Sequence, residues 1–437
     1  MTKSVTDDRT ETAFQDFKHA YSPEQAVVEA NRCLFCSDAP CMQACPTHID
    51  VPQFIRKIAT GNLRGSARTI FDANILGMSC ARVCPVETLC VGACVFNTLG
   101  VPPIQIGKLQ RHATDRAFEA GTRFFEAGPP SGKSIGLVGG GPASLAAAHE
   151  LRRHGHACTI YEKRSVLGGL NTTGIAPYKM RADRSVLEAD WVLAIGGIEV
   201  KTGVEVGQAP TFAALERAHD AVFVGVGLGP DTSLRVPGED LAGVAGAVAF
   251  IERLKLGRVS LAGVRRALVV GGGNTALDGV RELCGLGVPE VTLVYRGKEA
   301  KMPGYRHEWS AAKQEGARAL FQHLPVAFEG AGKVERARLV RMDDQKKPIA
   351  GTEHTVEADL VLVAIGQSTL GALLAGLDGI RIVDGCVAVD ADGFTGRKGW
   401  YAGGDCTNGG KEVVNAAAEG KAAALAIHRY LTGGAHA

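Results

Sequence analysis

Short apolar runs that end in glycine dominate the chain from residue 134 onward. The stretch "SIGLVGGGPASLAAAHELRRHGHACTIYEKR" predicts a strand, a glycine turn, a helix and a second strand. A second unit of the same pattern begins at residue 264, with "VRRALVVGGGNTALDGVRELCGLGVPEVTLVYRG". Because parallel strands that are covered by helices form continuous apolar runs, the two units predict two doubly wound α/β domains.

The order of the remaining apolar runs predicts how these domains are connected. "AVFVGVG" ends at 227 and "LVLVAIG" ends at 366, and the chain closes with a strand, a loop and a long helix. This order predicts that the second nucleotide-binding domain is inserted into the first. We expect the first domain at 129–252 and again at 368–437, with the inserted domain at 253–367.

Residues 1–128 have a different pattern, which predicts a domain of short helices. "SPEQAVVEANRC" predicts a helix capped by Ser22 with Pro23 at its first position. "VPQFIRKIATGN" and "LRGSARTIFDAN" predict two short amphipathic helices. The linker "AGPPSGK" at 127–133 separates this domain from the first strand.

Composition narrows the class of protein. The chain has 437 residues, of which 46% are apolar and 22% charged, and its net charge is +2. That balance gives no reason to expect nucleic acid or an anionic membrane as a partner. The sequence shows no apolar run long enough to cross a bilayer, and its polar N-terminus is unlike a signal peptide. We therefore expect a cytoplasmic protein, whose clustered thiols bind metal rather than form disulfides.

The first glycine turn predicts a dinucleotide site. Gly139 permits a tight turn, and Gly141 lets the backbone approach a pyrophosphate at the start of a helix. Glu162 ends the next strand, where a carboxylate binds ribose hydroxyls. "LGGL" at 167–170 and Asp405 in "AGGD" fit further contacts to the same molecule. Together these features favour FAD over a simple turn.

The second glycine turn predicts a nicotinamide dinucleotide. Gly271, Gly273 and Asn274 repeat the turn, but Arg296 stands where the ribose-binding acid is expected. An arginine there pairs with a 2′-phosphate or stacks on adenine, so NAD and NADP both remain open. A nicotinamide that delivers a hydride to a flavin requires no acid–base residue, and we identify no catalytic side chain.

Eight of the twelve cysteines lie between residues 33 and 94. The first run has the spacing C-x2-C-x4-C-x3-C-P, and the second supplies Cys80, Cys84, Cys90 and Cys94. Such dense thiolates, with proline after Cys45 and Cys84, are typical of iron–sulfur clusters. Structural zinc is the competing interpretation, although zinc sites usually pair two short knuckles. Spacing alone does not say which cysteine joins which cluster.

These motifs resemble a known family. "CLFCSDAPCMQACPTHIDVPQFI", "GMSCARVCPVETLCVGAC", "PPIQIGKLQRHATD" and "GGGPAS" are similar to the electron-input half of dihydropyrimidine dehydrogenase, which is a separate NAD-linked subunit in bacteria. The resemblance spans residues 20–432. The glutamate synthase small subunit and ferredoxin–NADP oxidoreductase modules share the same plan more distantly.

The resemblance implies a set of site residues. One [4Fe-4S] cluster would be held by Cys33, Cys36, Cys41 and Cys94, and the other by Cys45, Cys84, Cys90 and Gln110. From its residue type alone, Cys80 would be a better ligand than Gln110. FAD would be bound by Gly139, Gly141, Pro142, Ala143, Glu162, Lys163, Gly169, Leu170, Lys179, Gly404 and Asp405. NAD(H), or NADP(H) as the alternative, would be bound by Gly271, Gly273, Asn274, Thr275 and Arg296.

The resemblance also implies an activity and a partner. NAD(P)H would reduce FAD, and the two clusters would carry electrons to an FMN and iron–sulfur subunit that reduces uracil or thymine, in a heterotetramer. Gly297 stands where NADP-using members have a basic residue, which favours NAD. The alternatives are a glutamate synthase small subunit, a ferredoxin-linked module or a zinc-binding regulatory protein.

Overall fold

The computed structural model describes residue 5 and residues 8–433, so part of the polar N-terminal stretch lies outside the described residues. Short helices form a helical unit around the clustered cysteines: α1 (Pro23–Asn31), α2 (Pro40–Gln43), α3 (Val51–Ala59), α4 (Leu63–Ala73), α5 (Gly77–Val83) and α6 (Ile106–Glu119). Ser22 caps α1 as predicted, because its hydroxyl accepts a hydrogen bond from the Gln25 amide. The apolar faces of these helices and several cysteines share one core.

The first nucleotide unit begins as the glycine pattern predicts. Its leading elements are β1 (Ser134–Val138), α7 (Pro142–Arg153), β2 (Ala157–Glu162), α8 (Leu170–Thr173), α9 (Ala182–Leu193), β3 (Ile198–Thr202), α10 (Phe212–Ala218) and β4 (Ala221–Val224). Apolar residues at every position of β4 are buried, as expected for a strand covered on both faces.

The second nucleotide unit repeats this order and adds an antiparallel sheet. Its elements are β5 (Val244–Gly246), α11 (Ala247–Leu256), β6 (Arg266–Val270), α12 (Asn274–Gly285), β7 (Glu290–Tyr295), α13 (Arg306–Gln314), β8 (Arg318–Phe321), β9 (His323–Glu329), β10 (Arg336–Arg341), β11 (His354–Glu357) and β12 (Leu360–Val363). Strands β9, β10 and β11 form the added sheet.

The chain then returns to the first nucleotide unit. Its closing elements are β13 (Ile382–Val383), β14 (Cys386–Val387), β15 (Trp400–Ala402), α14 (Asp405–Asn408) and α15 (Val413–Leu431). Short 3-10 helices lie at Thr10–Ala13, Val95–Asn97, Glu299–Lys301 and Gly371–Leu374. In the part of the chain that the structure describes, no helix is both long and apolar enough to cross a membrane.

The strand order confirms the predicted insertion. The first parallel sheet has the order β15-β4-β1-β2-β3, and the second has the order β5-β12-β6-β7-β8. Because β15 joins the first sheet after β5 to β12 have completed the second, the second unit is inserted into the first. Strand β5 belongs to the second sheet although it precedes residue 253, and the domain boundaries stay predictions.

The helical unit and the first nucleotide unit share a core. Phe71 of α4 lies 4.6 Å from Trp191 of α9, measured between ring centroids. Phe118 of α6 packs against this indole at a tilt, and Phe124 contacts it edge-on. Such aromatic contacts contribute beyond the area that they bury. The cysteine-bearing helices are therefore fixed to the first nucleotide sheet.

Candidate functional site

The first glycine turn has the geometry that a bound pyrophosphate requires. Gly139 has φ +94°, and a Cβ there would lie 2.5 Å from the Gly225 carbonyl oxygen. Gly141 caps α7, which begins with Pro142 and Ala143. Gly169 of the "LGGL" stretch approaches so closely that its Cβ would lie 3.0 Å from the Gly141 Cα. Only glycine fits these contacts, and the unpaired amides of the helix start are suited to an anion.

The acid at the end of β2 faces this turn. Glu162 accepts a hydrogen bond from the Gly140 amide at 2.7 Å and another from the Arg164 amide at 2.6 Å. Its carboxylate is thereby held beside the glycine turn, where a ribose would lie. Lys163 instead pairs with Glu205 and is 67% exposed. Its predicted contact to FAD stays a prediction.

Asp405 follows Gly404, which lies close to the start of α7, since a Cβ on Gly404 would be 3.1 Å from the Ala143 Cβ. Gly404 has φ +81° and donates its amide to Glu419 at 2.7 Å, and α14 begins at Asp405. Burial raises the pKa of Asp405, and nearby carboxylates raise it further. Helix α15 packs on α7 so tightly that a Cβ on Gly420 would lie 2.1 Å from the Ala143 carbonyl oxygen. This packing brings the Asp405 loop next to the predicted pyrophosphate site.

The second glycine turn has the same geometry. Gly271 has φ +147°, and a Cβ there would lie 2.2 Å from the Ala364 carbonyl oxygen. Gly273 caps α12, and nothing lies within 4 Å of the position of its missing Cβ. Asn274 and Thr275 form the first turn of the helix. The helix start is thus open for a dinucleotide, and Arg296 is exposed just after β7.

Lys179 takes part in a buried ionic contact between the two nucleotide units. Its ammonium lies 2.7 Å from Asp278 of α12 and 2.7 Å from Glu308 of α13. Tyr178 donates its hydroxyl to the same Asp278 at 2.7 Å. Burial alone would lower the pKa of Lys179, but the two carboxylates raise it above its ordinary value. The sequence predicted a contact to FAD here, and the structure adds a partner in the second unit.

The helical unit contains a cavity at the predicted position of the first cluster. It is lined by apolar side chains and by the four predicted ligands, Cys33, Cys36, Cys41 and Cys94. Burial raises the pKa of Cys41 to about 12, and Cys33 and Cys94 add to the effect. A bound metal would compensate for that shift, because metal ligation deprotonates thiols. Among the described residues, no three His, Cys, Asp or Glu side chains are arranged to bind a single metal ion.

The other four clustered cysteines, Cys45, Cys80, Cys84 and Cys90, form a second group. Burial raises the pKa of Cys90, and the neighbouring Cys84 and Cys45 raise it further. Lys18 donates its ammonium to the Cys84 carbonyl oxygen at 2.8 Å. Burial lowers the pKa of Lys18. A cation therefore lies beside the backbone of a predicted ligand, where it would favour an anionic cluster.

The fourth ligand of this second group has two candidates in the structure. Gln110 donates its amide nitrogen to the Gly77 carbonyl oxygen at 2.8 Å, which leaves only its Oε1 for a metal. Cys80 is hydrogen-bonded to Cys84 and accepts a hydrogen bond from Asn74 at 3.1 Å. The structure thus brings Cys80 beside a predicted ligand. The role of Gln110 stays a prediction.

Sequence reasoning missed a contact that joins all three units. Tyr305, just before α13, donates its hydroxyl to Glu412 at 2.6 Å, and Glu412 caps α15. Burial and this hydrogen bond raise the pKa of Tyr305, and the Thr88 hydroxyl opposes the shift. Thr88 lies between Cys84 and Cys90. No local signal marks these residues, because their partners are distant in sequence.

Two family models match consecutive parts of the chain. Residues 9–122 match dihydropyrimidine dehydrogenase domain II, 4Fe-4S cluster. Residues 133–420 match pyridine nucleotide-disulphide oxidoreductase. The chain therefore combines an iron–sulfur domain with the nucleotide-binding domains of a flavin-dependent oxidoreductase.

Curated relatives cover nearly the whole chain. The NAD-dependent dihydropyrimidine dehydrogenase subunit PreT of Escherichia coli K12 is 36% identical over 95% of this chain and 96% of its own length. The glutamate synthase [NADPH] small chain of Halomonas elongata is 34% identical over 96% of this chain and 93% of its own length. These relatives confirm the predicted resemblance.

Solved structures share the fold of the nucleotide units. Thioredoxin reductase of T. acidophilum has a TM-score of 0.55 and 21% identity, over 68% of this chain and 98% of its own. FprA of Mycobacterium tuberculosis in complex with NADPH has a TM-score of 0.54 and 21% identity, over 68% of this chain and 84% of its own. At this identity the likeness establishes the fold alone.

Proposed function

Because the chain belongs to the pyridine nucleotide-disulphide oxidoreductases and has an N-terminal 4Fe-4S domain of the dihydropyrimidine dehydrogenase type, we propose that it is the electron-input subunit of an NAD-dependent dihydropyrimidine dehydrogenase. In this role it oxidises NADH at one nucleotide site and transfers the electrons to FAD and two [4Fe-4S] clusters. An FMN and iron–sulfur partner subunit then reduces uracil or thymine. The assembly is a heterotetramer.

Different residues of the chain would bind the different cofactors. When bound, a nicotinamide and a flavin supply hydride transfer, and iron–sulfur clusters supply one-electron transfer. The turns at Gly139 and Gly271 would hold the two pyrophosphates, and Glu162 would bind a ribose. The cavity at Cys33, Cys36, Cys41 and Cys94 would hold one cluster, and Cys45, Cys84, Cys90 and Gln110 would hold the other.

One observation carries the proposal. The helical unit, with its cysteine-lined cavity, shares a hydrophobic core with the first nucleotide unit, which supports a protein whose proposed cluster and flavin sites are packed together. A zinc-binding regulatory protein would not need two strand, glycine-turn and helix units of the dinucleotide-binding type. The combination instead fits a protein that converts a two-electron donor into one-electron output.

The test starts with the purified chain. We expect a brown protein that contains FAD and about eight iron atoms, on the ligation rules for two such clusters. NADH should reduce its flavin faster than NADPH does. With an FMN-containing dihydropyrimidine dehydrogenase subunit added, NADH should support reduction of uracil. A colourless zinc protein, or reduction of uracil by this chain alone, would contradict the proposal.

A glutamate synthase small chain is the second candidate, because the Halomonas relative is only two percentage points less identical than PreT. The same NAD(P)H and flavin chemistry would then serve a large amidotransferase subunit. Reconstitution with each type of partner separates the two functions. Electron transfer to the amidotransferase subunit, with none to the pyrimidine-reducing subunit, would establish the second candidate.

A further inference from the structure

Residues 302–305, between a 3-10 helix and α13, form a loop that is attached to the second glycine turn; we call it the junction loop. The Gly304 amide donates to the Gly272 carbonyl oxygen at 2.8 Å. The Tyr305 amide donates to Asn274 Oδ1 at 3.0 Å. Both acceptors belong to the segment where a nicotinamide dinucleotide would bind. The backbone of the junction loop therefore moves with that site.

Side chains at the end of the junction loop and in the first turn of α13 contact the other two units. The Tyr305 hydroxyl donates to Glu412 Oε1 at 2.6 Å. The loop before Glu412 is connected to the proposed flavin site, since the Lys411 amide donates to Asp405 at 3.2 Å. His307 stacks on the Tyr305 ring and lies 3.7 Å from Glu87 of the cysteine-bearing segment. Tyr305 is thus hydrogen-bonded to both nucleotide units, to Asn274 through its backbone amide and to Glu412 through its hydroxyl.

We propose that Tyr305 is a positioning residue for hydride transfer. It sets the spacing between the nicotinamide dinucleotide site, which includes Asn274, and the flavin site, which includes Asp405. The proposal rests on the proposed function, because it presumes that both dinucleotides bind. Tyr305 acts through Asn274 on one side and through Glu412 on the other. Its hydroxyl does not take part in the chemistry.

The physical basis is the strict geometry of the reaction. Reacting atoms must lie about 3–3.5 Å apart, and a misplacement of about 1 Å can cost about 100-fold in rate. A hydrogen bond from a hydroxyl to a carboxylate is short and stronger than a neutral one. The backbone bond to Asn274 and the phenol bond to Glu412 therefore connect the two sites through one rigid side chain.

The first test is Tyr305→Phe, with Tyr401→Phe as the matched control. Tyr401 is a buried tyrosine of β15 whose hydroxyl has no hydrogen-bond partner among the described residues, so its removal should change little. In stopped-flow experiments, Tyr305→Phe should reduce the flavin with NADH roughly 10- to 100-fold more slowly. The dissociation constant of NAD+ from the oxidised protein should remain close to that of the wild type.

A second measurement separates positioning from general damage. The long-wavelength charge-transfer absorbance of NAD+ on the reduced flavin depends on ring stacking, and it should weaken in Tyr305→Phe but not in Tyr401→Phe. Glu412→Gln retains an acceptor and should keep most of the rate. Glu412→Ala should slow flavin reduction as much as Tyr305→Phe does. The double variant should be no slower than either single variant, because both substitutions remove the same Tyr305–Glu412 hydrogen bond.

The outcomes distinguish this inference from the proposed function. If NADH does not reduce the flavin of the wild-type chain, the proposed function fails. If the wild-type chain is reduced, and Tyr305→Phe has an unchanged rate and charge-transfer band, the positioning role alone is wrong. An additive loss in the double variant would also overturn it, because the two residues would then act independently.

Discussion

Replacing Lys179 with methionine tests the buried contact between the two nucleotide units. The substitution keeps an unbranched, flexible side chain but removes the charge that faces Asp278 and Glu308. The side chains of Lys179, Asp278 and Glu308 are only 14%, 10% and 9% exposed. Water therefore screens the contact weakly, and its loss leaves two carboxylates buried side by side.

The size of the effect follows from this burial. Removing one partner of a buried ion pair destabilises a protein by about 3–5 kcal/mol. The loss of stability caused by Lys179→Met should be smaller at low pH. Burial and the neighbouring Asp278 raise the pKa of Glu308, and Lys179 opposes this shift. Without Lys179 the folded variant should therefore bind more protons than the unfolded chain. Its stability consequently falls as pH rises, and the difference from the wild type grows.

The assay is unfolding in urea, monitored by tryptophan fluorescence at about pH 6 and pH 8, which measures how stability depends on pH. Lys163→Met is the matched control, because Lys163 forms an ion pair of similar length with Glu205 but is 67% exposed. If Lys179→Met were no more destabilising than Lys163→Met, the buried contact would not stabilise the protein. If it lost FAD with unchanged unfolding, the contact to FAD predicted from the sequence would be the main role of Lys179.

Three further predictions concern single sites. Gln110→Leu should change the EPR spectrum of the second cluster, whereas Cys80→Ser should leave it unchanged; the reverse result would make Cys80 the ligand. Burial raises the pKa of Glu188 to about 7, so the folded state binds the extra proton. The urea midpoint of the wild type relative to Glu188→Gln should therefore fall as pH rises from about 5 to 8. Gly139→Ala places a methyl group 2.5 Å from the Gly225 carbonyl oxygen. It should lower the free energy of unfolding by at least about 1–2 kcal/mol, and the purified variant should lack bound flavin.

The parts of the fold that depend on local chemistry could be predicted from the sequence. The turns at Gly139 and Gly271 were recognisable because a strand, a glycine and a helix start are consecutive there. The Ser22 cap was recognisable for the same reason. The insertion followed from the order of apolar runs, because β15 reads as a strand well after the second unit ends.

Contacts between distant segments could not be predicted in this way. Tyr305 and Glu412 are separated by 107 residues, and nothing near either one indicates the other. The partners of Lys179 could not be predicted for the same reason, since its two carboxylate partners belong to helices of the inserted unit. The spacing of the cysteines likewise left the clusters unassigned, and the ligand sets came only from the family resemblance. Junctions between units depend on tertiary packing, about which a single sequence carries little information.

The polar N-terminal segment illustrates why these junctions matter. The Thr10 amide donates to the Gly257 carbonyl oxygen in the second unit, and the Phe17 amide donates to the Tyr178 carbonyl oxygen in the first. Lys18 then reaches the carbonyl oxygen of Cys84 in the helical unit. A short stretch with no apolar periodicity thus binds all three units. Together with the contacts of Lys179 and Tyr305, it connects the three units that carry the proposed cofactor sites, and transfer between bound cofactors requires such sites to be held close together.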